Sequence, residues 1–176
     1  MLKIIINPFQ KLSNRTILII GVASIIFSSF LAAHVGIHFE GMFSIQLSQS
    51  NGLLEPFLEN IVNLIILCVL TWAGITFIGK RDVALTKLLG SVVFSRVPLL
   101  FATILGFVPG IDKETPYTFE NIGVGLAMIV FGIWSIVLLY YAIKYVGELS
   151  GDKKWIVFIA VSITSTFVSN YLHSYL

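Results

Sequence analysis

Four runs without a single Asp, Glu, Lys or Arg divide this chain: Thr16–Phe39, Asn60–Gly79, Asn121–Ile143 and Trp155–Leu176, each 20 residues or longer. A helix rises 1.5 Å per residue, and about 20 apolar residues carry it across a hydrocarbon core about 30 Å thick. Each run is therefore long enough to span a bilayer. A fifth stretch, residues 86–107, is apolar except for Lys87 near its start and Arg96 in its middle. It reads as a fifth span with one deep charge.

The composition agrees. Hydrophobic residues make up 57% and charged residues 11% of the 176, and mean hydropathy is +0.95. A soluble domain carries about 25% charged residues, so this chain lacks the polar surface of a soluble enzyme. A net charge of +2 is no nucleic-acid footprint, and the disorder signature of low hydrophobicity with high charge is absent. The single cysteine, Cys68, rules out an intramolecular disulfide.

Lipid offers no partner to backbone N–H and C=O groups, so a spanning segment is a helix or a strand of a closed barrel. The alternation expected of barrel strands is missing, and runs such as Ile129–Tyr141 are continuous. The expectation is an all-α integral membrane protein, a single five-helix domain over residues 16–176. Its spans are placed at about 16–35, 58–79, 86–107, 121–144 and 155–174. Residues 1–15 mix Leu2, Ile4, Ile5, Ile6, Phe9 and Leu12 with Lys3, Lys11 and Arg15, and read as a basic interfacial segment. Thr16–Ala33 exceeds the 7–15 residues of a signal-peptide core, so it reads as a span rather than a cleaved leader.

Orientation follows from Lys and Arg. Lys3, Lys11 and Arg15 precede the first span. The connection 36–56 has none. Lys80, Arg81 and Lys87 surround the next turn, Lys113 alone lies in 108–120, and Lys144, Lys153 and Lys154 surround the last turn. This alternation places the amino terminus in the cytoplasm and the carboxyl terminus outside.

Arg96 is the most informative side chain, because an ionisable group at mid-membrane is costly and needs a partner. Pro98 lacks a backbone donor and is expected to kink the helix beside it. Glu55, Glu59 and Asn63 share one stripe of the second span at i, i+4 and i+8, and the expected reach of Arg96 is to Asn63 or Glu59. Two readings follow: structural glue between spans two and three, or a polar site lining a cavity. Glu59 also has a local explanation, since acids suit the first turn of a helix.

The last span carries a secondary polar stripe that includes Ser162, Ser165, Ser169, Asn170 and His173, suited to interhelical hydrogen bonds. Gly21, Ser24, Ser28 and Ala32 in span one, and Gly123, Ala127, Gly132 and Ser135 in span four, form small-residue contact faces. Glu59-Asn60-Ile61 and Glu120-Asn121-Ile122 open spans two and four alike, a trace of an internal repeat. His34 and His38, with Glu40 beyond, would share a helix face, but this is a weak metal pattern, and interfacial histidines are the simpler reading. Phosphate-loop, metalloprotease and serine-hydrolase motifs are absent. No metal site, cofactor or catalytic residue is expected.

The chain resembles the Yip-type domain family, named for Ypt/Rab-interacting proteins, and most closely its short bacterial members. The likeness rests on Asn7-Pro8-Phe9 before span one, and on Leu88-Leu89-Gly90 followed by Ser95-Arg96-Val97-Pro98 in span three. It implies a five-helix membrane bundle with Gly90, Arg96 and Pro98 as its fingerprint. Eukaryotic members of the family act in ER–Golgi vesicle traffic and bind prenylated small GTPases, partly through a long cytosolic amino-terminal region. Only about 15 residues precede span one here, and the Asp-Leu-Tyr-Gly-Pro signature is missing, so GTPase binding is not carried over.

The functional expectation is a non-enzymatic membrane scaffold or trafficking-type protein working through helix contacts. Its partners are the bilayer and either further copies of itself or other membrane proteins. The alternative is a small transporter with its polar site at Arg96, Glu59 and Asn63.

Overall fold

The computed structural model describes residues 7–39, 46–47, 52, 54–108 and 119–173. Its helices are α1 (Asn14–Val35), α2 (Leu54–Ala73), α3 (Leu85–Ser95), α4 (Val97–Leu105), α5 (Phe119–Tyr141) and α6 (Lys153–His173). Two π-helical turns, Gly74–Ile78 and Ala142–Val146, prolong α2 and α5. Together these make five helical segments long and apolar enough to cross a membrane: 14–35, 54–78, 85–105, 122–146 and 153–172. A two-residue ribbon, β1 (Ile37–His38) and β2 (Gln46–Leu47), pairs antiparallel in the connection between spans one and two.

Local chemistry sets the boundaries. Ser13 Oγ accepts the Thr16 amide at 3.1 Å and caps the start of α1. Gly36, at φ 62°, ends it in the left-handed region that glycine enters without strain. His34 and His38 are thereby parted. His34 Nδ1 lies 2.9 Å from the Phe30 carbonyl on the helix, while His38 stands on β1, so the shared helix face expected of the pair does not form. Glu40 lies outside the described residues.

The outward face is apolar. Ile19, Ile26, Phe27 and Phe30 of α1, Ile129, Val130 and Ile133 of α5, and Phe167 and Tyr171 of α6 are all more than half exposed. Water would oppose a surface of this kind, and lipid does not. The third span, α3 with α4, is the central one: 67% of its most apolar window is buried, against 22–39% for the other four. Gly21 of α1 makes close approach to it possible, since a Cβ there would fall 2.7 Å from Val93 Cγ1 and 2.8 Å from the Phe94 amide nitrogen. The small-residue face of span one is therefore spent inside the protein. On span four, Ser135 is buried whereas Gly123 meets open space.

The third span breaks where the sequence predicts. Arg96 sits between α3 and α4 at φ −89°, ψ −3°. Pro98 has no N–H to donate, and the Leu99 amide turns back to the Arg96 carbonyl at 3.0 Å. The Ser95 carbonyl accepts the Ser135 hydroxyl from α5 at 2.6 Å. A side chain from span four thus satisfies a carbonyl that the break exposes.

The end of the bundle nearest Lys80 holds the largest apolar core. It includes Leu67, Ile75, Leu88, Val92, Leu139, Ile143, Leu149, Val157 and Val161. The two π-turns meet there. Gly79 and Gly147 donate five residues back, to Gly74 and Ala142. Lys80 and Glu148 follow at φ 55° and 52°. A Cβ on Gly79 would fall 2.7 Å from Leu149 Cδ2, and one on Gly147 would fall 2.9 Å from Ile75 Cδ1.

The two turns are thus built alike. The π-turns 74–78 and 142–146, the residues with positive φ (Lys80 and Glu148) and the starts of spans three and five at 85 and 153 are all displaced by 68 positions, so the sequence echo at Glu59 and Glu120 falls in a different register. Near Arg15, Phe9 and Leu12 pack on Ile17, Phe94 and Leu138, with Phe9 edge-on to Phe94 at 6.0 Å.

Candidate functional site

Toward the His38 end of the bundle the core turns polar. Glu59, Asn60 and Asn63 of α2 are 6%, 1% and 1% exposed, and Arg96 is 2% exposed. Glu59 stands five residues into α2 and Asn63 nine, roughly 8 and 14 Å along the axis.

Two hydrogen-bonded chains start from neighbouring α2 residues. In the first, Arg96 Nη2 donates to Asn60 Oδ1 at 2.8 Å, and Asn60 Nδ2 donates to Ser29 Oγ at 2.8 Å and toward Ser28 Oγ at 3.5 Å. One amide thus joins spans one, two and three. In the second, Glu59 Oε1 lies 2.8 Å from His38 Nδ1, and Glu59 Oε2 accepts the Phe39 amide at 2.8 Å. Asn63 Nδ2 donates to the Phe39 carbonyl at 2.7 Å, and Asn63 Oδ1 accepts the Ser169 hydroxyl of α6. This chain pins the β1 end of the connection onto α2 and ties α2 to the last span.

The expected reach of Arg96 to Glu59 is therefore corrected. The Glu59 oxygens are occupied by His38 and Phe39, which the ribbon brings down onto the helix, and Arg96 bonds Asn60 one position further along. A buried guanidinium needs a hydrogen-bonding partner. The amide oxygen of Asn60 provides one, and its NH2 group remains available to span one.

The other fingerprint and stripe residues fall as follows. Pro98 is buried in the first turn of α4. Gly90 is buried, and a Cβ there would sit 3.4 Å from Leu18 Cβ of α1. Glu55 is half-buried, and a ligand atom from each of Glu55, Glu59 and His38 lies within 4.8 Å of the others. Of the last-span stripe, Ser169 joins the cluster, Asn170 is exposed, and the His173 side chain lies outside the described residues. Asn60, Ser29, His38 and the Phe39 backbone are the participants the sequence stripe missed. Asn60 was legible in principle, since it is three residues from Asn63 and faces the same side. The others depend on how the connection folds back.

Two surface grooves are lined largely by apolar side chains. One, between spans two and three, has a volume of about 250 Å³ and is bounded by Cys68, Val69, Trp72, Leu85 and Leu89. The second, about 230 Å³, lies between spans two and five beside Phe77 and Val161. Neither is lined by Arg96.

Five apolar spans around a hydrogen-bonded polar cluster define a multi-pass integral membrane protein. The family model of the Yip1 domain matches residues 4–171. The chain belongs to the Yip1 domain family. No curated protein and no solved structure matches it.

Proposed function

We propose that this protein is a non-enzymatic membrane scaffold of the trafficking or membrane-organising type. In this reading it acts through helix contacts with further copies of itself or other membrane proteins. The single observation that carries the reading is the enclosure of Arg96, 2% exposed and hydrogen-bonded to Asn60, which is itself bonded to span one. A group lining a conduction path is hydrated. One that is packed and paired holds helices together. The polar cluster then serves as a clasp that fixes three spans, leaving the apolar outward faces for lipid and partner helices. The pattern of Lys and Arg supports an amino terminus in the cytoplasm, and the likeness to short bacterial members of the family supports a bacterial cytoplasmic membrane as the site.

The test is solvent access at position 96. In a Cys68→Ala background, Arg96→Cys is exposed to a small membrane-impermeant thiol reagent from each side of the membrane. No labelling from either side is expected, with full labelling after denaturation. Rapid labelling from one side would replace the scaffold reading with a permeation pathway.

A further inference from the structure

The second hydrogen-bonded chain contains more than a clasp requires. His38, Glu55 and Glu59 each bring one potential ligand atom into a group whose members lie within 4.8 Å of one another. They come from two separate segments, the ribbon strand β1 and the first turns of α2. Glu55 and Glu59 are like charges at i, i+4, an arrangement that is destabilising on its own. Glu59, 6% exposed, already holds His38 Nδ1 on one oxygen and the Phe39 amide on the other, so the ribbon and the helix are drawn to one point.

We propose that His38, Glu55 and Glu59 form a binding site for a divalent transition-metal ion of the zinc type. Imidazole nitrogen and carboxylate oxygen are both zinc ligand types, and three protein ligands leave a fourth position open to water or a further ligand. Calcium and magnesium favour all-oxygen shells, and the imidazole argues against them. Zinc–nitrogen and zinc–oxygen bonds of about 2.0–2.2 Å place neighbouring ligand atoms roughly 3–3.5 Å apart. The 2.8 Å contact between His38 Nδ1 and Glu59 Oε1 therefore opens slightly as the ion takes its place between them, and the third ligand atom already lies within 4.8 Å of both. Glu55, half-buried one residue into α2, stands nearest the helix end of the three.

The surroundings are those of a supported site. The Phe39 amide donates to the second oxygen of Glu59, and Asn63 fixes the Phe39 carbonyl, so both His38 and Glu59 are oriented by groups outside the ligand set. The metal would lock the connection between spans one and two onto the bundle. This inference is independent of the scaffold reading, because it concerns the ribbon and not Arg96.

The experiment uses the full chain in detergent, stripped with a chelator and titrated with zinc chloride, with bound metal counted by mass spectrometry and stability followed by thermal unfolding. One zinc per chain is expected, with a rise in Tm that the chelator reverses. Cobalt substitution should give visible absorption bands of a nitrogen–oxygen site. Glu55→Gln, at a half-buried position, is expected to fold and to weaken zinc binding about a hundredfold, the upper end of what supporting groups alone contribute. His38→Gln should do the same, and His34→Gln should bind like the parent. Calcium should leave Tm unchanged.

The proposal is overturned if the parent binds less than one zinc per chain, or if Glu55→Gln binds zinc as tightly as the parent. An equal response to calcium, or loss of binding in His34→Gln, overturns it as well. Should His38→Gln fail to fold, the Glu55→Gln titration and the cobalt spectrum still decide.

Discussion

Spans two and three and spans four and five are joined by matching turns, and they differ in what fills them. Both pairs turn through a π-helical segment, a glycine and a residue with positive φ, displaced by 68 positions. The first pair buries Glu59, Asn60, Asn63 and Arg96. The same positions of the second hold Ala127, Met128, Phe131 and Thr164. Phe131 instead faces span three, stacking with Phe101 at 5.8 Å, and spans four and five meet through Tyr140, whose ring lies 4.6 Å from Trp155 and 5.5 Å from Phe158. One pair is joined by an amide and a guanidinium, the other by aromatic contacts. The shared geometry of the two turns therefore does not depend on the polar cluster, which lies toward the other end of the bundle and in one pair alone.

The sharpest way to break the comparison is Arg96→Ala set against Thr164→Ala. Loss of the guanidinium leaves Asn60 with a buried unpaired oxygen and a cavity, and should cost about 3 kcal/mol or more in denaturant unfolding. Exposed Thr164 should cost less than about 0.5 kcal/mol. Comparable losses at the two sites would mean that the halves are not distinguished by the cluster.

Gly79→Ala and Gly147→Ala probe what the halves share. Each added Cβ overlaps the carbonyl four residues back, Ile75 at 2.5 Å and Ile143 at 2.6 Å, as well as a side chain of the opposite turn. Overpacking of this kind costs about 1–3 kcal/mol. The two losses should be similar, and a large loss in only one would show that the turns are not equivalent.

A third comparison couples rather than deletes. Arg96→Ala with Asn60→Ala should be non-additive by about 1 kcal/mol or more in a double-mutant cycle, since the two are in direct contact. Arg96→Ala with Met128→Ala should be additive. Within the cluster the smallest effect expected is that of Ser169→Ala, about 0.6–1.7 kcal/mol, from the average to the maximum for a single interhelical hydrogen bond in a membrane. Its thermal shift should vanish in an Asn63→Ala background.

Much of the architecture was legible because its causes are local. Charge-free runs of bilayer length name the spans, Pro98 names the break in the third, and the depth of Arg96 names the one residue that must find a partner. The partner was not legible. Helical spacing put Glu59 and Asn63 on one stripe, but the choice among Glu59, Asn60 and Asn63 depends on which of them the connection covers. The β1 ribbon delivers His38 and the Phe39 amide to Glu59, which removes it from the reach of Arg96. The Glu59-Asn60-Ile61 echo at Glu120 illustrates the same limit. A matching tripeptide suggested one register for the repeat, and the π-turns fix another.

The sequence by itself thus determined that this is a five-helix membrane protein and where its polar residues lie along each helix, because lipid solvation acts on every residue independently of its neighbours. Tertiary structure alone decided which polar groups meet. A hydrogen bond requires atoms within about 3 Å, and that proximity is set by the rotation and approach of helices and by a loop folding back, none of which is encoded in the spacing along a single helix.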